Sequence, residues 1–471
     1  MQFLSMEFLA FILSLLVLLR LCKKETSRKN ILLIFSYIFY GYWDFRFLGI
    51  LFIQSMIVYI VGKKIEKKRH NYKTLFLGIG VTFLLIILCI FKYYNFFIDT
   101  FCITFKTNNS IGLSILLPVG ISFYTFQGIS YMIDIYREKL DKQYCFKEVM
   151  LYIGFFPQIL SGPIVKAHDF LPQLDREHPI NINNVVSGAQ IFLFGSVKKV
   201  VIADRLAVCV DAVYNSPTLY SGTSIILAVL TYSMQIYCDF SGYSDMAIGI
   251  AKVFGYDLQN NFNCPYLARN PSEFWTRWHI SLSSWFKEYV YFPLGGNRKG
   301  KIRTYVNQTI VMTLSGIWHG ANITFCIWGF IHGVALIINK MSSRLAAQKS
   351  NRVRIGSFKK ITNVFYIVLN FIFITLTWVL FRADSIKLAW TIYHRMFTLA
   401  NGVTYYYTYT FIYGILLLIV NILVGLKYRG NGSYPLLKLD KFSSWLFVFL
   451  EIFVILAFRY TGNTAFIYFK F

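Results

Sequence analysis

Charge is scarce in this sequence. Only 15% of its 471 residues are charged, where a soluble domain carries about a quarter. Polar linkers are missing too, and a soluble chain of this length would need them to join about two or three domains. The eight cysteines are scattered singly, mostly inside apolar stretches, with no C-x-x-C and no metal-ligand spacing. They read as small buried hydrophobes, which excludes a disulfide framework and leaves no expected metal site. There is no H-E-x-x-H, no G-x-S-x-G and no internal repeat, so the signatures of zinc proteases and nucleophile-elbow hydrolases are absent.

What is abundant is apolar surface: 56% of the residues are hydrophobic and 19% aromatic. Long apolar runs recur at Phe8–Leu19, Ile31–Tyr40, Phe47–Val61, Leu75–Ile90, Ile115–Ile135, Ile225–Ile236, Tyr305–Ile338, Ile361–Phe381, Phe411–Val424 and Trp445–Phe458. Roughly 20 apolar residues cross a hydrocarbon core, so these runs predict about eleven crossings. The fold class is therefore an all-α, multi-pass membrane protein embedded in a lipid bilayer.

The net charge of +25 is distributed as topology signals rather than as a nucleic-acid face. Basic clusters sit between apolar runs, at Lys23–Lys29, Lys63–Arg69, Arg298–Arg303, Arg352–Lys360 and Lys427–Arg429. Cytoplasmic loops carry such an excess. With the first cluster after the first run, the N-terminus is expected outside. The early positive charges follow the apolar stretch instead of preceding it, so no cleavable signal peptide is expected.

One glycine-rich loop resembles a phosphate loop and fails. Gly295–Ile302, "GGNRKGKI", fits G-x-x-x-x-G-K but places Ile302 where magnesium needs a hydroxyl, and no strand precedes it. Nucleotide hydrolysis is excluded, although a basic loop of this kind can contact phosphates of a soluble ligand.

Two stretches carry chemistry. The first, "NPSEFWTRWHISLSSWFKEY" from Asn270, begins like a helix: Asn270 suits the N-cap, Pro271 the first turn, and Glu273 the third position of a capping box. Glu273 and Arg277 are spaced to pair. Read as one helix, it carries an apolar stripe of Phe274, Trp278, Leu282 and Trp285 and a polar stripe of Ser272, Thr276, His279 and Ser283. A helix split in this way lies at the membrane surface or lines a cavity. The second stretch, "TLSGIWHGANITFCIWGFIHG", sets His319 deep within an apolar run, where an ionisable group is costly and marks a function by default. Gly316 and Gly320 have the small-xxx-small spacing that admits a close neighbour. His332, thirteen residues beyond His319, reads as structural. Asp239 and Asp245 lie in another apolar stretch, where they either satisfy neighbouring donors or form an ion pathway.

Together "NPSEFWTRWHISLSSWFKEYVYFPLGGN" and "GIWHGA" resemble the membrane-bound O-acyltransferase family. "LPVGISFYTFQGISYMIDIYR" (Leu117–Arg137), "GFFPQILSGPIV" (Gly154–Val165), "DFSGYSDMAIGIAKVFGY" and "LFRADS" (Leu380–Ser385) extend the likeness over about residues 115–385. The closest likeness is to the bacterial branch that O-acetylates alginate or peptidoglycan, with teichoic-acid D-alanyl transfer proteins related. The resemblance implies a ring of tilted helices with re-entrant or interfacial segments around a thin centre. It divides the chain into N-terminal helices (1–112), a catalytic core (113–385) and C-terminal helices (386–471). It also implies His319 as the near-invariant family histidine and His279 as the second one.

The residues suit that chemistry on their own terms. Moving an acetyl group from a thioester needs a base for the attacking hydroxyl and a donor for the developing oxyanion. A histidine with an ordinary pKa of about 6.5 can serve as that base. Trp318, Trp278, Asn270 and His279 are candidate donors by residue type, and Arg298 and Lys299 are candidates for the phosphates of coenzyme A. The expected function is transfer of acetyl from cytosolic acetyl-CoA, with no bound cofactor, across the inner (cytoplasmic) membrane of a bacterium. The acceptor is an extracellular polysaccharide, peptidoglycan favoured over an alginate-like polymer. Delivery runs through a separate periplasmic SGNH-type acetyltransferase, because this chain lacks such a domain. Two alternatives stand: D-alanyl transfer from a carrier protein to teichoic acid, and a transporter coupled through Asp239 and Asp245.

Overall fold

The structure is a computed structural model describing residues 1–67, 70–105, 116–160, 162–349, 356–405 and 442–458, with positions 412, 415, 419, 423, 434, 436, 437 and 467. The apolar run Phe411–Val424 and the basic cluster Lys427–Arg429 fall largely outside the described residues, as does the first part of the cluster Arg352–Lys360. Elsewhere the apolar runs form helices, and among the described residues no strand occurs beyond an isolated bridge between Tyr220 and Val403. Among the described residues six helices are long and apolar enough to cross a membrane: Arg46–Glu66, Tyr72–Cys102, Ile182–Asn215, Gly222–Val253, Ile323–Arg344 and Ile361–Arg382. Several expected crossings are shorter helices, among them Met6–Leu21, Glu25–Gly41 and Ile121–Tyr136.

The chain forms two compact units. The first comprises residues 1–193 and 243–259. Its centre is the helix Ile121–Tyr136, packed against Arg46–Lys67 and His70–Leu88. That helix is buried on every face, and two of its polar residues, Ser130 and Asp134, find partners within the unit. Ser130 bonds to the Tyr152 hydroxyl at 2.9 Å, and Asp134 to the His168 ring at 2.8 Å.

The second unit comprises residues 194–242 and 260–471. Its core is aromatic, with Trp278, Trp328 and Trp378 fully buried. The outward face of Gly356–Arg382 exposes Val364, Phe365, Val368 and Ile372, as a lipid-facing helix does. At its centre Lys301–His319 and Ile323–Lys349 form a tight antiparallel hairpin. The spacing of small residues explains the closeness. A Cβ on Gly316 would lie 2.2 Å from the Phe325 carbonyl oxygen, and one on Gly329 2.3 Å from that of Met312. The small-xxx-small reading therefore holds at Gly316, whose partners are backbone atoms that cannot yield without moving the hairpin. We expect Gly316→Ala to cost about 1–3 kcal/mol. Gly49→Ala, where a Cβ meets nothing within 4 Å, serves as the neutral control in thermal unfolding.

A buried ion cluster also lies in this unit. A π-helical turn, Val197–Ala203, presents Lys199 to Asp204 at 2.7 Å and to Asp239 at 2.5 Å. The second Asp239 oxygen accepts the Ile467 backbone N–H at 2.8 Å. Asp239 is thus fixed by a cation and an amide, a structural arrangement that removes the motive for assigning it an ion-coupling role.

Candidate active site

The segment from Asn270 is not one helix. Asn270 caps it, its side-chain oxygen accepting the Glu273 N–H at 2.9 Å, and Glu273 pairs with Arg277 at 2.8 Å. Glu273 reaches back one residue beyond the cap, taking the backbone N–H of Arg269 at 2.9 Å. Burial alone would raise the Glu273 carboxyl, but that N–H and the Arg269 and Arg277 guanidiniums outweigh it and hold the pKa below the usual value. The helix Pro271–Trp275 then stops, and a second helix, Ile280–Phe286, starts after His279.

His279 adopts the left-handed conformation, with φ 44° and ψ 55°. This conformation is uncommon outside glycine and costs about 1–3 kcal/mol. Neighbouring chain holds it in place: Asn261 accepts the Ile280 N–H at 3.0 Å, and Arg277 accepts the Asn263 N–H at 2.9 Å. The kink replaces the expected polar stripe. Instead of facing water with Ser272 and Thr276, His279 turns inward and is fully buried.

There it meets His319, the last residue of Lys301–His319. The two rings lie 6.1 Å apart, centroid to centroid, and Trp318 lies 5.8 Å from His279 and 5.0 Å from His319. Phe240 stands edge-on to His279 at 4.6 Å. Phe381 and Trp328 enclose His319 at 5.1 and 5.5 Å. Burial pushes the His279 pKa down to about 3, so this ring is neutral at physiological pH.

That shift has a sign. The unfolded chain takes up a proton below about 6.5, and the folded chain refuses it until far lower. The stability contributed by His279 is therefore complete above about pH 6.5 and is lost as pH falls toward 3. We expect His279→Asn, which tolerates the left-handed backbone, to show a shallower loss of thermal stability between about pH 7 and 4. His279→Val should cost about 1–3 kcal/mol more than His279→Asn, since a branched side chain resists this φ.

The other residues singled out from the sequence separate. Trp278 joins the aromatic core, stacked on Phe274 at 5.5 Å and 4.9 Å from Trp378. Asn270 lies beside Asn339, whose side-chain amide donates to it at 3.3 Å and to Ser272 at 2.8 Å. Arg298 and Lys299 are exposed on the loop before Lys301. His332 is structural: Trp275 donates to its Nδ1 at 3.3 Å, so Nε2 carries the proton and donates to Thr377 at 3.1 Å. Sequence reasoning missed Trp328 and Phe381 as walls of the site, although both stand inside quoted motifs. It missed Asn261 altogether, since its role is made by chain geometry rather than by a local pattern.

A base-type side chain, a neutral His279 and an indole N–H, gathered in an enclosed aromatic site, form a set able to accept a proton and to hold a developing oxyanion. The chain is 36% identical over 406 residues to the probable alginate O-acetylase AlgI of Pseudomonas aeruginosa, covering 84% of this chain and 75% of that one. It is 36% identical over 429 residues to the peptidoglycan O-acetyltransferase of Helicobacter pylori, covering 85% and 79%. A more distant relative is the teichoic acid D-alanyltransferase of Bacillus subtilis, 28% identical over 229 residues, covering 46% and 58%. The model of the membrane-bound O-acyltransferase family matches residues 37–383, which includes both histidines and begins well before the motifs that suggested it. The chain belongs to the membrane-bound O-acyltransferase family and is an acyltransferase.

Proposed function

We propose that this acyltransferase moves acetyl from cytosolic acetyl-CoA to the outer face of a bacterial inner membrane, for O-acetylation of a polysaccharide. The observation that carries the reading is the pairing of two buried histidines beside Trp318, in a chain whose high-coverage relatives are named as O-acetylating enzymes of alginate and peptidoglycan. His319 takes the proton of the acceptor hydroxyl as its oxygen attacks the thioester carbonyl carbon. The carbon–sulfur bond breaks, the thiolate takes the proton from the imidazolium, and coenzyme A leaves as the thiol. Trp318 N–H and His279 are the nearest candidates to stabilise the oxyanion, and Arg298 and Lys299 to meet nucleotide phosphates.

Peptidoglycan is the favoured acceptor, because it requires no dedicated export system, with an alginate-like polymer next. Delivery to the glycan goes through a periplasmic SGNH-type partner, and the positive-inside pattern sets the N-terminus outside. The test supplies purified protein with acetyl-CoA or with a D-alanyl carrier thioester, together with peptidoglycan or alginate fragments and an SGNH-type partner. Acetylated peptidoglycan is the expected product. Transfer of D-alanine alone would replace this reading with the teichoic-acid one.

A further inference from the structure

A groove of about 510 Å³ runs along the first unit between the helices Glu25–Gly41, Arg46–Lys67 and Phe146–Gly154. Its walls are apolar. Leu33, Ile34, Tyr37 and Ile38 come from the first of these helices, Leu48 from the second and Met150 from the third. Ile34 and Ile38 are 56% and 51% exposed, so the groove opens on the apolar surface that a spanning helix presents to lipid. At one end the first two helices touch: a Cβ on Gly41 would lie 2.8 Å from the Leu48 side chain. From that contact the groove extends to Leu33, eight residues away, or about 12 Å of helical rise. An extended chain advances 3.3–3.6 Å for every three bonds, so that length takes roughly ten bonds of a hydrocarbon chain.

The Gly41 end carries the chemistry of a lipid headgroup. It lies opposite the basic clusters Lys23–Lys29 and Lys63–Arg69, which flank the other ends of the same two helices. The positive-inside pattern therefore puts it in the outer leaflet. The turn that joins the helices there exposes Tyr42, Trp43 and Phe45, the aromatic belt of a membrane boundary. Arg46 follows, two residues before Leu48 and so about 3 Å beyond it along the helix. Its side chain is 60% exposed. Asp44 takes its Nε at 3.0 Å and its Nη2 at 2.5 Å, which fixes the guanidinium and leaves Nη1 with no partner among the described residues. Guanidinium N–H groups held in this way match the oxygens of a phosphate. Asp44 also cancels the charge of Arg46, so the pair offers a headgroup directed hydrogen bonds rather than long-range attraction.

We infer that this groove holds one acyl chain of an outer-leaflet glycerophospholipid whose phosphate hydrogen-bonds to Arg46. The apolar walls, the aromatic turn and the arginine follow one another in the order of chain, interface and headgroup in a lipid. The inference is independent of the donor and acceptor readings above.

The test releases the full-length protein from nanodiscs into a mass spectrometer and counts the lipids it retains. The nanodiscs contain phosphatidylethanolamine, phosphatidylglycerol and diacylglycerol with the same chains. Wild type should retain either phospholipid about tenfold better than diacylglycerol, and the two phospholipids within about threefold of each other, since the Asp44–Arg46 pair is neutral. In Arg46→Gln the preference over diacylglycerol should fall to within about threefold. Ile38→Trp fills the groove from its exposed side and should lower retention of all three lipids by about tenfold. Ile34→Trp serves the same purpose if that variant does not fold. Diacylglycerol held as well as the phospholipids, or a preference unchanged in Arg46→Gln, would overturn the inference at the headgroup. Retention unchanged in both tryptophan variants would overturn it at the chain. In cell membranes, a photoreactive benzoylphenylalanine at position 38 should crosslink to phospholipid. A crosslink to protein alone would show that a polypeptide fills the groove instead.

Discussion

His319→Gln is expected to lower acyl transfer by about 10²- to 10⁴-fold, the range that a positioned general base contributes. The ring is 2% exposed and is held between Trp318, Trp328 and Phe381. Glutamine fills most of that space and keeps a polar end, but it cannot take a proton from a hydroxyl at neutral pH. The loss should therefore fall on kcat, with thioester affinity within about threefold of the wild type. Steady-state kinetics and direct binding of acetyl-CoA separate the two. Equal losses in binding and turnover would instead mean that His319 shapes the donor site.

The second large effect concerns folding. Lys199→Met leaves Asp204 and Asp239 buried without their shared cation. Breaking a buried pair in this way costs about 3–5 kcal/mol, because a charge remains without compensation. Asp239→Asn should cost much less. Lys199 keeps Asp204, and the new amide oxygen can still accept the Ile467 N–H. Lys199→Met/Asp204→Asn/Asp239→Asn should recover much of the loss, since no net charge is then buried. Thermal unfolding of the variants in detergent gives the ranking. Equal effects of Lys199→Met and Asp239→Asn would show that the cluster acts pair by pair rather than as a unit.

Much of this was legible in the sequence because membranes make composition speak. Apolar runs between basic clusters became helices, and a histidine inside such a run, His319, sits at the heart of the site. Local rules also held where a few neighbouring residues decide the outcome: the Asn270 cap, the Glu273–Arg277 pair and the close packing at Gly316. The kink at His279 was not legible. Its flanking residues keep a helical period, and a left-handed histidine has no signature when Asn261 and Asn263, which hold it, belong to a different stretch. Asp239 stayed open between satisfying donors and carrying ions for a similar reason, since its cation lies forty residues away in the sequence. A buried charge seen without its partner looks like a working group.

The measurement that bears most directly on the account uses sealed proteoliposomes, with acetyl-labelled acetyl-CoA on the cytoplasmic side and acceptor plus an SGNH-type partner on the other. Wild type should release coenzyme A on the donor side and deliver label to the opposite face, and His319→Gln should do neither at a comparable rate. Label crossing at equal rates in both proteins would contradict a chemical role for His319. No release by wild type would contradict acetyl-CoA as the donor.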